Sequence, residues 1–70
     1  MTLKAYLAWA KQRATKYLLR GEFRTAFAVM IADLGRHGLF KHHPGIDLGF
    51  LKLPSLLEDP EQMRQWINGF

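Results

Sequence analysis

The chain has 70 residues, of which 49% are hydrophobic and 13% aromatic, and its formal net charge is +4. It has no cysteine, which excludes a disulfide framework and every thiolate metal site, and its apolar content excludes a disordered chain. A chain this short forms at most one domain, here residues 1–70, whose core supplies little net stability. We therefore predict one ordered domain, with a homodimer as a way to widen the stability margin.

The basic residues are concentrated in the first third of the chain. Residues 1–20 hold five Lys or Arg and no acidic residue, whereas residues 46–70 hold two basic and four acidic residues. No stretch reaches the roughly 18 apolar residues of a membrane span, and Lys4, Lys11 and Arg13 interrupt any signal-peptide core. We expect a soluble, cytoplasmic protein without membrane contact.

The first predicted element is a helix over residues 3–20. Thr2 is a suitable N-cap for it, and Gly21 can adopt the left-handed conformation that ends a helix. Apolar residues recur at spacings of three and four, at Leu3, Leu7, Ala10, Ala14 and Tyr17. On a helical projection the side almost opposite this face holds Trp9, Arg13, Lys16 and Arg20.

A second helix is predicted over residues 23–36, and it is apolar on nearly every side. Its apolar positions are Phe23, Ala26, Phe27, Met30, Ile31 and Leu34, with Ala28, Val29 and Ala32 between them. Such a helix is normally buried on several sides, so we expect it at the centre of the domain, ending near Gly35 or Gly38. Because only the residues around Gly21 separate it from the first helix, the two form a helical hairpin.

A third, shorter helix is predicted over residues 45–53. Ile46, Phe50 and Leu53 lie at helical spacing, and the run does not alternate as a strand would. Pro54 is expected to end this helix, because proline has no backbone N–H to continue the hydrogen-bond ladder.

The last predicted helix covers residues 60–68. Asp59 is a suitable N-cap, Pro60 fits the first helical position, and Gln62 fits the capping-box position. The apolar face consists of Met63, Trp66 and Ile67. The predicted fold class is therefore all-α, a compact bundle of about four helices with an N-terminal helical hairpin.

Three histidines and one acidic residue are the candidates for a metal site. His37, His42 and His43 fall within seven residues, and Asp33 lies one helical turn before His37. Asp33, His37 and His43 could serve as ligands, but the spacing lacks the His-Glu-x-x-His pattern of a zinc site. The alternative is that Asp33 pairs with His37 while His42 and His43 lie in a solvated turn. We predict no metal and no cofactor.

The chain offers few groups for catalysis. Its only serine, Ser55, lies outside any nucleophile motif and is expected in a loop or at a cap. The carboxylates of Glu58, Asp59 and Glu61 surround a predicted helix start, where acidic residues favour the helix dipole. No glycine pattern forms a phosphate-binding loop. We therefore predict that the protein is not an enzyme.

The remaining candidate for function is the charged side of the first helix. Trp9, Arg13, Lys16 and Arg20 lie there, with Arg24 as an outlying member at the start of the second helix. An indole among cations can stack, pair with carboxylates or meet phosphates, and Trp with Arg is typical of binding hot spots. We call these five residues the basic stripe and predict that they bind a partner. The alternative is a solvated basic face whose Trp9 packs against another helix of the domain.

The predicted partner of the basic stripe is a protein. The tight hairpin connection lacks the angled turn of a helix-turn-helix, and the second helix is too apolar to read base edges. Nonspecific contact with nucleic-acid phosphates stays open as an alternative. It would lose affinity steeply with salt, whereas an interface anchored on Trp9 would weaken less.

The segment from Ala14 to Ala26 resembles the hairpin turn of a tetratricopeptide repeat. Tyr17, Gly21 and Phe23 complete the pattern, in which a glycine turns the chain and small residues let two antiparallel helices approach closely. The resemblance covers less than one repeat and has no second copy, so no solenoid is predicted. It implies that Gly21 makes the turn and that Ala14 and Ala26 make the close helix contact.

Most of the chain resembles small helical proteins encoded by tailed bacteriophages, notably those of actinobacteria. The matching residues are Ala14, Tyr17, Gly21, Ala26, Met30, Asp33, Leu34, His37, Met63, Trp66, Ile67, Gly69 and Phe70. The resemblance implies a phage or prophage accessory protein in the cytoplasm of a bacterial host. Such proteins often act stoichiometrically on host machinery or defence, so we expect an inhibitor or modulator of a host protein.

Two alternatives to a host-protein binder stay open. One is an accessory protein that binds nucleic acid through the basic first helix. The other is a homo-oligomeric virion component, for which the exposed apolar residues Phe40, Phe50 and Leu51 would form the contact.

Overall fold

The computed structural model describes residues 2–70, and the secondary structure of this part of the chain is entirely helical. Its helices are α1 (Leu3–Leu19), α2 (Phe23–Gly35), α3 (Pro44–Leu51), α4 (Leu53–Glu58) and α5 (Pro60–Asn68). The all-α fold class is confirmed. The expected number of helices was about four, and residues 2–70 form five.

The α1–α2 hairpin forms where the capping residues predicted it. The Thr2 hydroxyl oxygen accepts a hydrogen bond from the Ala5 N–H at 3.0 Å and so caps α1. Gly21 has a φ of +77°, in the left-handed region that favours glycine, and so turns the chain between the two helices. Ala14 and Ala26 are completely buried, because small side chains let the two helices pack closely. The predicted N-terminal hairpin is confirmed.

The core lies where α2 contacts α1, α4 and α5. Its largest fully buried apolar side chains are Met30, Leu34, Leu56, Met63 and Ile67. The rings of Phe27 and Trp66 stack in the same core, with their centroids 4.9 Å apart. The second helix therefore lies at the centre of the domain, as its apolar residues predicted.

The segment after α3 differs from the prediction. One helix over residues 45–53 was expected to stop at Pro54, but α3 ends at Leu51 and α4 begins at Leu53. Pro54 lies in the first turn of α4, where the missing N–H of proline has no intrahelical partner to lose. Ser55 is therefore an exposed residue of α4 instead of a loop residue.

The start and end of α5 agree with the prediction. The Asp59 carboxylate accepts a hydrogen bond from the Glu61 N–H at 3.0 Å and caps the helix, with Pro60 following at its first position. Gly69 is the C-cap. Phe70 folds back so that its ring meets the Trp66 ring edge-on at 5.3 Å between centroids.

Between residues 2 and 70, the structure contains no helix with both the length and the apolar character that crossing a lipid bilayer requires.

Candidate functional site

The structure divides the basic stripe into two parts that differ in their contacts. Trp9 and Arg13 are half-buried, whereas Lys16, Arg20 and Arg24 are exposed. Arg13 pairs with Asp33 of α2, and Trp9 contacts Tyr6 and Arg13 of its own helix. Lys16, Arg20 and Arg24 face solvent. The two parts therefore have different roles in any contact with a partner.

Arg13 pairs with a buried carboxylate that sequence periodicity did not assign to it. Its Nε lies 3.1 Å from Oδ2 of Asp33, and Nη1 of Arg36 lies 3.7 Å from Oδ1 of the same residue. Asp33 is completely buried, and burying a carboxylate is costly unless a cation accompanies it. We call Arg13, Arg36 and Asp33 the guanidinium cluster. Arg36 was absent from the predicted site.

Trp9 packs partly against its own domain. The guanidinium carbon of Arg13 lies 4.9 Å from the centroid of the Trp9 ring, within the range of a cation–π contact. The rings of Tyr6 and Trp9 are 5.4 Å apart, and the Tyr6 hydroxyl donates a hydrogen bond to the Asp33 carbonyl at 2.5 Å. Trp9 is thus held in place with part of its surface still open to solvent.

Lys16 and Arg20 of the stripe line an open groove of about 560 Å³ between α1 and the end of α5. The residues that line it are Lys11, Gln12, Thr15, Lys16, Leu19, Arg20 and Asn68, and we call this surface the cationic groove. Lys11 donates a hydrogen bond from Nζ to the Asn68 carbonyl at 3.2 Å, which ties α5 to α1. Within residues 2–70, no ion pair involves Lys16 or Arg20.

Two features of the cationic groove were missed by the sequence analysis. Leu19 is 83% exposed although it lies between cations, and Lys11 joins Lys16 and Arg20 along the groove. For Leu19 the signal lies in the spacing on α1, because Gln12, Lys16 and Leu19 share one side of a helix. Arg24 is exposed in the first turn of α2 but does not line the groove.

The candidate metal ligands are engaged in other contacts. His37 Nδ1 accepts a hydrogen bond from the Leu39 N–H at 3.2 Å, and its ring lies 4.8 Å from that of Tyr6. His43 is half-buried, where a solvated turn was expected, and its Nδ1 caps α3 by accepting from the Gly45 N–H at 2.9 Å. Residues 2–70 contain no group of three His, Asp or Glu placed to hold a metal ion.

A smaller hollow of about 160 Å³ lies between α3 and α5. Trp66 forms one side, and its indole N–H donates to the Gly45 carbonyl at 2.8 Å. The other lining residues are Gly45, Leu48, Lys52, Gln62, Gln65, Gly69 and Phe70. Among these lining residues Lys52 has the only charged side chain, so the hollow is far less basic than the cationic groove.

The surface of α3 exposes large apolar side chains. Phe50 is 55% exposed, and Leu48 and Leu51 are also exposed. Phe40, which was expected to be part of this exposed surface, is half-buried instead, because its ring packs 5.0 Å from that of His37.

On α5 the exposed residues Glu61 and Arg64 form an ion pair that shifts the pKa of each. Arg64 lowers the pKa of Glu61, chiefly through a side-chain hydrogen bond, and Glu61 raises the pKa of Arg64 in return. Neither residue lines the cationic groove.

Comparisons with known proteins identify no relative. No protein-family model matches the chain, and no curated protein or solved structure is significantly similar to it.

Proposed function

We propose that this protein is a binding module that attaches stoichiometrically to an acidic surface of another protein through the cationic groove of α1. The observation that carries the proposal is that Lys16 and Arg20 flank an exposed leucine and take part in no ion pair within residues 2–70. Exposed cations beside an exposed apolar side chain form a surface that attracts an opposite charge and can bury apolar area in the same contact.

The mixture of charge and apolar surface supports a protein partner over a nucleic acid. Contacts to nucleic-acid phosphates come from Lys, Arg and other hydrogen-bonding groups, so an exposed leucine has no part in them. Leu19 and the half-exposed Trp9 add apolar and aromatic area beside the cations, as in the centre of protein–protein interfaces. The proposed partner is therefore an acidic protein surface with an apolar centre.

The proposed setting is the cytoplasm of a bacterium that carries a phage or prophage, with a host protein as the partner. This part of the proposal is supported by the resemblance of residues spread over all but α3 and α4 to small phage-encoded proteins. The proposed action is inhibition or modulation of that host protein, with no catalytic step and no cofactor.

Capture from bacterial lysate tests the proposal, with two double charge reversals as a matched pair. Lys16→Glu with Arg20→Glu changes the groove, whereas Lys41→Glu with Lys52→Glu makes the same change in net charge at exposed positions in and before the α3–α4 region. Because charge complementarity at the groove provides the attraction, the first double variant should lose the captured protein. The second should retain it.

Treatment of the lysate with nuclease separates the two classes of partner. A protein partner should be retained after nuclease treatment, and its capture should weaken only moderately between low and physiological salt. Capture that disappears with nuclease, or that is lost equally in both double variants, would contradict the proposal.

Arg13 of the basic stripe is left out of this test for a physical reason. Glutamate at position 13 would lie against the buried Asp33 carboxylate, and two like charges there would destabilise the fold. Loss of capture by such a variant would not separate unfolding from lost contact.

A homo-oligomeric virion component is the second candidate, because α3 exposes Leu48, Phe50 and Leu51. Exposed apolar groups of this kind are typical of contacts between protein subunits. Light scattering of the purified protein should show a defined large assembly if this function is correct, and a monomer or dimer if the host-binding function is correct.

A further inference from the structure

Two arginines from different helices converge on one buried carboxylate. Arg13 comes from α1 and Arg36 caps the C-terminus of α2, and each places a nitrogen within 4 Å of an oxygen of Asp33. The side chains of Arg13 and Arg36 are nevertheless 41% and 68% exposed, whereas that of Asp33 is 1% exposed. The cluster thus presents two guanidinium groups at the surface and hides its only negative charge.

Most donors of these guanidinium groups stay available. A guanidinium has five N–H donors, and the contacts to Asp33 use one nitrogen of each arginine. Neither oxygen of Asp33 has a partner with hydrogen-bond geometry, so the carboxylate holds the two groups by charge without forming a bidentate pair. Arg13 is also supported from one side by the Trp9 ring. Arg13, which contacts both Asp33 and the Trp9 ring, is therefore positioned before any partner arrives.

We infer that Arg13 and Arg36 form a binding site for a single carboxylate, an Asp or Glu side chain of a partner protein, and that Asp33 is the residue that positions them. This inference rests on the proposed function, since it gives the chemistry of one contact in that interface. It adds Arg36 and Asp33 to the residues that the sequence assigned to binding.

The charge of the cluster favours a carboxylate over a phosphate. Two arginines and one aspartate sum to one positive charge, which matches one carboxylate better than a dianionic phosphate group or a row of phosphates. The neighbouring surface is aromatic. Its rings form a chain of contacts that runs from Trp9 to Tyr6, then to His37 and then to Phe40. Leu39 beside them is 69% exposed. A carboxylate flanked by apolar side chains fits this surface.

Three short peptides test the site directly. Each has blocked termini and the sequence Gly-Leu-X-Leu-Gly, where X is Glu, Gln or phosphoserine, and binding is followed through the Nε–H resonances of Arg13 and Arg36 in NMR spectra. The Glu peptide should shift both resonances to saturation and bind about tenfold more tightly than the Gln peptide. Equal binding of the Glu and Gln peptides would overturn the inference, and so would a phosphoserine peptide that binds about tenfold more tightly than Glu.

Variants of Arg36 separate contact from general charge. Arg36→Ala should lower the affinity for the Glu peptide about fivefold or more, and Arg36→Lys should restore only part of it, because an ammonium lacks the planar fork of donors. Lys41→Ala, which removes the same charge from an exposed nearby position, should leave the affinity unchanged. An equal loss in Arg36→Ala and Lys41→Ala would overturn the site.

The positioning role of Asp33 and simple electrostatics predict opposite changes in peptide affinity for Asp33→Asn. Asp33→Asn removes a negative charge beside the site, so general electrostatics predicts tighter binding of an anionic peptide. The inferred positioning role predicts weaker binding, because Arg13 loses its anchor. Circular dichroism shows whether the variant is folded. If it is unfolded, Arg36→Ala still tests the binding site itself. Tighter binding by folded Asp33→Asn would contradict the role assigned to Asp33.

Failure of this inference is distinguishable from failure of the proposed function. If Arg36→Ala captures the partner as well as the unchanged protein while the groove variant does not, the carboxylate site is wrong and the proposed function stands. If neither variant affects capture, the proposed function is wrong as well.

Discussion

The α1–α2 hairpin and the α3–α4 segment are both rich in apolar residues, but they bury them to very different extents. In the hairpin, Ala14, Ala26 and Met30 are completely inaccessible to solvent. In α3 the buried residue is Gly49, while Phe50 and Leu51 are exposed. Apolar content therefore does not decide burial. What decides it is how many neighbouring helices cover the segment, because α2 packs against α1, α4 and α5, whereas α3 makes few contacts with other helices.

The two regions also differ in how closely their helices approach a neighbour. Alanines at the α1–α2 contact leave room for the backbones to approach. On α3 the close approach to α5 depends on glycine, because a Cβ at Gly49 would lie 2.6–2.8 Å from indole atoms of Trp66. The basic stripe therefore lies on a closely packed hairpin. By contrast, α3 packs against α5 through Gly49, and its Leu48 and Leu51 are exposed.

Truncating one leucine in each region should produce the largest contrast. Leu34→Ala removes a completely buried side chain of α2 and should lower the free energy of unfolding by about 2–5 kcal/mol through lost burial and a residual cavity. Leu51→Ala, at a position 81% exposed, should change it by less than about 0.5 kcal/mol. Urea denaturation followed by circular dichroism measures both. Similar losses in the two variants would break the comparison.

Adding a methyl group at two glycines sharpens the contrast at α3. Gly49→Ala should destabilise the protein by about 1–3 kcal/mol, because the new Cβ collides with the buried Trp66 ring. This loss exceeds the helix-propensity gain of about 1 kcal/mol from alanine. Thermal denaturation of the variant, with Trp66 near-ultraviolet circular dichroism as a packing signal, measures it.

Gly35→Ala is the control for this prediction. A Cβ at Gly35, the last residue of α2, meets nothing within 4 Å. The substitution should therefore stabilise the protein by about 0.4–1 kcal/mol through a less flexible unfolded chain. Stabilisation by both alanines would show that α3 is not held close to α5 through Gly49.

The smallest effect on stability is expected from the exposed Glu61–Arg64 pair on α5. Breaking this pair should not change the stability of either the hairpin or the α3–α4 segment. Arg64 lowers the pKa of Glu61, so any stability from the pair is complete above the ordinary glutamate pKa and is lost as the pH falls through the lowered value. Because both side chains are exposed to solvent, that contribution is small. An NMR titration of the Glu61 carboxyl should show its pKa rising toward the ordinary value in Arg64→Ala. An unchanged pKa would contradict the assigned cause.

The sequence predicted the elements whose ends carry local signals. Thr2, Gly21 and Asp59 act on residues next to them, so the bounds of α1, α2 and α5 agree with the structure within one residue. The missed break between α3 and α4 has a local cause as well. Proline ends a helix from within but fits its first turn, and the sequence around Pro54 does not say which turn it occupies.

The candidate site was predictable only as far as one helix determines it. The periodicity of α1 places Lys16 and Arg20 on its exposed side. The pairing of Arg13 with Asp33 depends on how α1 and α2 lie against each other, and the groove depends on Asn68, which is 57 positions from Lys11. Contacts at such separations are products of packing, and no spacing within one helix reveals them.

Site-specific photocrosslinking tests the central claim most directly, because the two regions offer leucines of nearly equal exposure. A benzophenone amino acid replaces Leu19 in the cationic groove or Leu51 on α3, which are 83% and 81% exposed, and the protein is irradiated in nuclease-treated bacterial lysate. We predict a crosslinked host protein from position 19 and none from position 51. A host protein crosslinked from position 51 alone, or a second copy of this chain crosslinked there with nothing at position 19, would contradict the account.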